Sequence, residues 1–156
     1  MRVVGKGSKM GAFNIFGEHI VIGDNVTIGN FCELGDGLIV GNDSILQGRI
    51  RTADNCVIGE RVTIKYGTIL TSKVTIKDDA FIGPNVITLG SNHKRETLHG
   101  TVIGERAFIG AGTIIAPNIK ICDDVVVGAQ AYVNKDITKP GIYVGVPARF
   151  LKEMMK

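Results

Sequence analysis

The chain has no tryptophan, and aromatic residues make up only 6% of it. Its three cysteines, Cys32, Cys56 and Cys122, stand too far apart for a CxxC or comparable metal pattern. Their odd number and wide spacing point to reduced, mostly buried thiols, as expected in the cytoplasm. No apolar run approaches the roughly 18 residues that span a membrane. The opening "MRVVGKGSKMG" also lacks the apolar core of a signal peptide. A marked excess of one charge sign is lacking as well. The formal net charge is +3 and the basic residues are dispersed, so no basic stripe with interleaved aromatics marks a nucleic-acid surface.

What the chain does have is glycine, 21 in 156 residues, beside a 44% hydrophobic content. The glycines follow no G-X-Y period, which excludes collagen, and the apolar content argues against disorder. They follow a period of six instead. Stepping by six from Phe16 to Ile82 meets a large apolar residue every time except at Thr52. Glycine follows the anchor at Gly17, Gly23, Gly29, Gly35, Gly41, Gly59 and Gly83. Four residues after each anchor comes a smaller inward candidate, such as Val26, Cys32, Ser44, Cys56 or Thr68.

A helix does not repeat at six, and an ordinary amphipathic strand alternates at two. One aliphatic and one smaller inward residue per six predicts short strands joined by tight corners. Segments such as "IGDN", "VGND" and "IGPN" supply the corners, because Gly, Asn and Asp tolerate positive φ. Stacked coils then pair their strands in parallel about 4.8 Å apart, each anchor over the one below. Cys32 and Cys56 fall on inward positions and are expected to fill core.

This pattern resembles the hexapeptide repeat of left-handed parallel β-helix acyltransferases, in which three hexads make one triangular coil. The resemblance implies an all-β fold and a single domain over residues 1–156. Coils are expected over about 10–87 and 103–138, an extruded loop over 88–102, and a C-terminal loop with a short helix over 139–156. The helix is predicted from Pro147, suited to a first helical turn, and from Phe150, Leu151, Met154 and Met155 at helical spacing. It is expected to cover the open end of the solenoid.

The closing "VNKDI" and "GVPARFLK" are similar to the end of the maltose/galactoside acetyltransferase branch. That similarity implies acetyl-CoA as acyl donor, held in a groove between two subunits of a homotrimer. Ala111 and Ala129 would line the pantetheine groove, Asn134 and Lys135 would lie by the adenine and phosphate end, and Arg149 and Lys152 would meet phosphates.

The repeat stops once. Residues 88–102 hold "TLGSNHKRETLHG", and the frame restarts at Ile103 after a gap that is no multiple of six. A rigid scaffold that extrudes a polar loop is a common way to carry function. In the acetyltransferase branch a histidine stands nine residues after the corner proline. Pro84 is followed at that spacing by His93. The resemblance implies that His93 is the general base for a hydroxyl or amine acceptor, with Asn85 and Asn92 facing that acceptor. His99 and His19 have no such place. The proline after the family's histidine is Lys94 here, and "KYGTILTSK" departs from the acceptor-side pattern one coil earlier, so the acceptor stays open among sugars, sugar nucleotides and similar molecules.

Two other readings fit a β-helix. A γ-carbonic-anhydrase-like zinc enzyme needs three histidines around one ion. The chain has three, but His19 lies about four coils from His93, near 19 Å at about 4.8 Å per coil. No metal is therefore expected. A non-catalytic scaffold would need neither the histidine loop nor the cationic C-terminus. For a subunit contact, 18-residue stacking aligns Val21, Ile39 and Val57 as an outward apolar ladder.

Overall fold

The structure is a computed structural model and describes residues 1–155. The hexads fold as short strands, most of them two residues long, separated by corners. Three ladders result, of seven, nine and seven strands, and as far as Tyr132–Val133 every pairing is parallel and the chain visits the three in strict rotation. The first sheet begins with Val3–Val4, the second with Lys9–Met10 and the third with Ile15–Phe16. Coils thus begin before residue 10, since Val3 already pairs with Val21. The architecture is the hexapeptide β-solenoid expected from the repeat, and it agrees with the left-handed winding of that class.

Register follows the period. Val3, Val21, Ile39 and Val57 stand over one another in the first sheet, and Ile22, Val40, Ile58 and Ile76 beside them face inward. The anchors and the smaller inward residues form one continuous core that runs the length of the prism. Cys32 and Cys56 are fully buried in it. Burial pushes the Cys56 thiol up to about 11 and raises Cys32 and the half-buried Cys122 as well. Inward hydroxyls are satisfied rather than orphaned. The Ser44 hydroxyl donates to the Gly59 carbonyl at 2.8 Å and accepts the Val62 N–H at 3.0 Å.

The corners repay the choice of Gly, Asn and Asp. Asn25, Asn55, Asn85 and Asn118 all adopt left-handed φ near +56 to +59°. Corner carboxylates also bridge coils. Arg61 donates to both oxygens of Asp79 at 2.7 and 3.2 Å, and Arg106 does the same to Asp124 at 2.7 and 3.0 Å. Those hydrogen bonds hold both aspartates below their ordinary 3.8.

The interruption adds nine residues to one coil. Across it Thr75 pairs with Val102 and Ile76 with Ile103, a register step of 27 in place of 18. Thr88 still points inward and is buried, so the lattice resumes with no loss of core.

The C-terminus departs from the expected helix. Gly141–Val144 adds a parallel strand to the second sheet, and Arg149–Lys152 turns back as an antiparallel strand against it. A helix of so few residues has little stability of its own, whereas a free sheet edge offers the segment a ladder of partners. Pro147 sits in the intervening turn, after a cis peptide bond, and not in a helix. Phe150 packs edge-on against Tyr143, at 5.5 Å between ring centroids. Its ring lies where a side chain at Gly141 would be. The four apolar residues expected to cover the open end remain exposed, Met155 to 88%.

Coil-on-coil contact is tightest at Gly29, where an added Cβ would lie 1.4 Å from the Gln47 carbonyl oxygen. Gly29→Ala is therefore expected to destabilise the fold by at least about 2 kcal/mol, read as a lower urea midpoint. An unchanged midpoint would contradict this packing.

Candidate active site

The interruption folds as a small hairpin at the edge between the third and first sheets. Ser91 and Thr97 form an antiparallel bridge, and the Leu98 N–H donates to the Gly90 carbonyl at 2.9 Å. Asn92 organises the turn. Its Oδ1 accepts the N–H groups of Lys94 at 2.9 Å and Glu96 at 3.1 Å, and its Nδ2 donates to the Glu96 carboxylate at 2.6 Å. An asparagine that bonds backbone two residues ahead is a turn former by its own geometry. His93 is carried at the tip, exposed, between these clasped residues. The returning stem is held from the coil above, where the Lys120 ammonium donates to the Gly100 carbonyl and, at 3.1 Å, to Asn118 Oδ1.

The edge between the second and third sheets gathers a different set. Gly112 N–H donates to the Pro84 carbonyl and Gln130 N–H to the Ala111 carbonyl, so Pro84, Ala111 and Ala129 form one vertical column. The column has little side-chain bulk. A Cβ at Gly83 would meet the Ala111 nitrogen at 2.7 Å, and one at Gly110 would meet the Ala129 nitrogen at 2.5 Å. Asn85 lies at the same corner with φ +56°, its Oδ1 folded against Gly67 in the coil below.

Beyond the last coil, the turn between the two C-terminal strands is strapped to the third sheet. Tyr132 N–H donates to Gly145 at 3.0 Å, and Ala148 N–H returns a bond to Tyr132 at 2.8 Å. This brings Arg149 beside Asn134, Nη1 to Oδ1 at 3.4 Å. A hollow of about 170 Å³ lies there, lined by Lys135, Asp136, Arg149, Phe150 and Tyr143 among others. The Asp136 carboxylate already accepts the Lys120 N–H at 2.8 Å, and the two cations beside it suit an anionic group.

The proposed site residues therefore divide into three groups. Asn134, Lys135 and Arg149 are brought together, Ala111 and Ala129 are stacked, and His93 stands apart. Lys152, at the far end of the terminal strand, does not line the hollow. The side chain of Asn92 is engaged within its own hairpin. Glu96 and Lys120 escaped the sequence reading, because their partners are known only once the hairpin's pairing is known. Among the described residues no three His, Cys, Asp or Glu side chains are grouped as metal ligands, and His19 lies far down the prism from the hairpin.

In one chain the third sheet separates His93 from the alanine column. One hexad face spans about 20 Å at roughly 3.3 Å per residue. A single copy thus presents the His93 imidazole at one edge and a narrow groove at another.

Residues 100–135 match a family model described as bacterial transferase hexapeptide (six repeats). Residues 19–48 and 54–77 match the hexapeptide repeat of succinyl-transferase. The unmatched stretch between them contains the hairpin. No curated protein matches the chain. Among solved structures, the acetyltransferase domain of PglB from Neisseria gonorrhoeae FA1090 superposes with TM-score 0.69 at 21% identity. That match covers 77% of this chain and 54% of the domain, so the chain spans little more than half its length. UDP-N-acetylglucosamine O-acyltransferase (LpxA) from Moraxella catarrhalis RH4 gives TM-score 0.68 at 20% identity, over 96% of this chain and 65% of that one. A point mutant of AntD, an N-acyltransferase from Bacillus cereus in complex with dTDP-4-amino-4,6-dideoxyglucose and coenzyme A, gives 0.68 at 24%, over 99% and 84%. At these identities the likeness is one of fold.

Asn92→Ala removes three hydrogen bonds from the hairpin tip and none from the core. The melting temperature is expected to hold while the Lys94 and Glu96 amides exchange at least about tenfold faster in hydrogen-exchange mass spectrometry. Equal protection in both proteins would refute the clasp.

Proposed function

This chain is a hexapeptide-repeat protein, and we propose that it is an acyltransferase that moves an acetyl group from acetyl-CoA to a small hydroxyl- or amine-bearing acceptor. The observation that carries this reading is the hairpin. An otherwise unbroken lattice inserts nine residues, clasps them internally, and holds one imidazole at the tip. An imidazole nitrogen can accept the acceptor's proton as the acceptor oxygen or nitrogen attacks the thioester carbonyl. The carbonyl carbon becomes tetrahedral, the C–S bond breaks, and coenzyme A leaves as the thiol.

For the cofactor, the bare column at Ala111 and Ala129 admits a narrow pantetheine arm along the prism edge. Lys135 and Arg149, with Asn134 beside them, would receive its phosphates at the C-terminal end. Arg149 offers the planar fork and Lys135 the compact charge that phosphate oxygens accept. Lys152 is the weaker candidate for a phosphate contact. Asn85, at the corner below the column, would face the acceptor, while Asn92 would act on it only through the placement of His93.

A complete site needs more than one copy. His93 and the alanine column stand at different edges, so a neighbour's hairpin would be required to meet this chain's groove. The trimer is proposed on that ground and on the outward ladder of Val3, Val21, Ile39 and Val57, each between 37% and 46% exposed. Three free cysteines, two of them buried in the core, suit the cytoplasm.

His93→Ala is expected to lower acetyl transfer at least about a hundredfold, measured by thiol release, while the rise in melting temperature on adding coenzyme A stays. Unchanged turnover would remove His93 from the chemistry. Lys135→Ala with Arg149→Ala should do the reverse, cutting the coenzyme A-induced rise and leaving the melting temperature without ligand within a few degrees. If the rise survives both substitutions, the cofactor's phosphates lie elsewhere.

A further inference from the structure

The first sheet breaks its own habit in the coil above the hairpin. Its outward column reads Val3, Val21, Ile39, Val57, Thr75 and Val102, all β-branched, and then Lys120. β-Branched residues suit a pleated face, whereas lysine is depleted there. The lysine therefore answers to something other than the ladder. Its ammonium donates to the Gly100 carbonyl and, at 3.1 Å, to Asn118 Oδ1. Among the described residues it pairs with no carboxylate.

The two arms of the hairpin are tied to the prism differently. The outgoing arm is held by the main chain, because the Leu89 N–H donates to the Ile115 carbonyl in the coil above at 2.9 Å. The return arm passes through His99 and Gly100, and among the described residues neither forms a backbone–backbone hydrogen bond. Gly100 sits at φ +91°, which side chains seldom adopt, and an added Cβ would stand 3.3 Å from Lys120 Nζ. The lattice takes hold again at Thr101, which is buried and whose carbonyl accepts the Thr75 N–H at 2.9 Å. Before that point the Lys120 ammonium is the donor that ties the return arm to the prism, and a charged donor makes the stronger kind of hydrogen bond. Lys120 is itself fixed. Its N–H donates to Asp136 Oδ1 at 2.8 Å, and its carbonyl accepts the Ile137 N–H at 2.9 Å. Asp136 borders the hollow that holds Lys135 and Arg149, so one residue links the hairpin stem to the coil of the hollow.

We propose that Lys120 is a positioning residue, a strut that sets the angle of the hairpin and through it the place of His93. The proposal rests on the acyltransferase reading and adds to it a residue that touches neither donor nor acceptor. A swing at the base of the hairpin is magnified at its tip, and a misplacement of about 1 Å can cost about a hundredfold in rate. The lattice itself does not depend on the strut, since Thr75 with Val102, Phe81 with Phe108 and Ile87 with Ile114 pair across the hairpin.

The test compares Lys120→Met, which keeps the length and loses the donors, with Lys120→Arg, which keeps a cation. Both are expected to melt within a few degrees of the native protein and to keep its coenzyme A-induced melting shift. In hydrogen-exchange mass spectrometry, Lys120→Met should speed the Leu89 and Leu98 amides at least about fivefold, with Lys120→Arg near the native rate. Thiol release from acetyl-CoA, with glucosamine or galactose as the probe acceptor, should lose at least about tenfold in kcat in Lys120→Met, with KM for acetyl-CoA within about twofold. Lys120→Arg should recover most of that loss. Native stem exchange in Lys120→Met overturns the strut. Unchanged kcat does the same, as does slow turnover that Lys120→Arg fails to restore. A Lys120→Met chain that does not fold overturns it too, because the lysine would then serve the lattice. Where the native protein releases no thiol with either sugar, stem exchange alone decides. If the native protein also shows no coenzyme A shift, the acyltransferase reading falls, while faster stem exchange leaves the strut standing.

Discussion

Each coil rests on the next at the spacing of a parallel β ladder, and every other feature of the molecule is set by that distance. Strand partners 18 residues apart must superpose, so a side chain is admitted at a position only if its neighbours above and below leave room. At Gly29 and Gly110 they leave none. At Ser44 they leave room for a hydroxyl that closes a hydrogen bond to the coil above. The same stacking places corner carboxylates over the backbone N–H groups of the coil below, as with the Asp78 carboxylate and the Glu60 N–H at 2.8 Å. Stability is therefore distributed along the axis, each coil relying on its nearest neighbours.

A rigid prism has consequences for chemistry. Side chains that stand clear of its edges and faces are carried where the lattice permits an excursion. The hairpin is such a mount. It leaves the third sheet after Thr88, is closed by Ser91 and Thr97, and re-enters at Val102 with the core unbroken. The C-terminal strands are a second mount, holding Arg149 against Asn134 at the last coil. Between them the corner column varies along the axis, from aromatic and cationic at Phe13, Phe31 and Arg49 to nearly bare at Ala111 and Ala129. One edge thus changes character along the prism axis.

Much of the fold was legible in the sequence because the inward positions recur at a fixed interval, and only parallel coils of equal length satisfy that interval. Cys32 and Cys56 could be placed in the core from their phase alone, and His93 could be singled out because the phase fails around it. The register of the first sheet, with Val21, Ile39 and Val57 aligned, followed from the same arithmetic. The C-terminal segment was not legible. Phe150, Leu151, Met154 and Met155 have helical spacing, and local pattern contains no information about the free edge of the second sheet a few residues away.

The sequence by itself determined the period, the inward residues, the place of the interruption and the histidine it carries, because each of these is a property of local spacing. Only the tertiary structure decided which corners share an edge. It joined Phe13, Phe31, Arg49 and Tyr66 to the alanine column, and gave Asn92 to its own hairpin. It also put His93 a full face away from the groove it is proposed to serve. Residues many positions apart become neighbours only when coils stack, and the nine added residues shift every pairing that crosses the hairpin from 18 to 27.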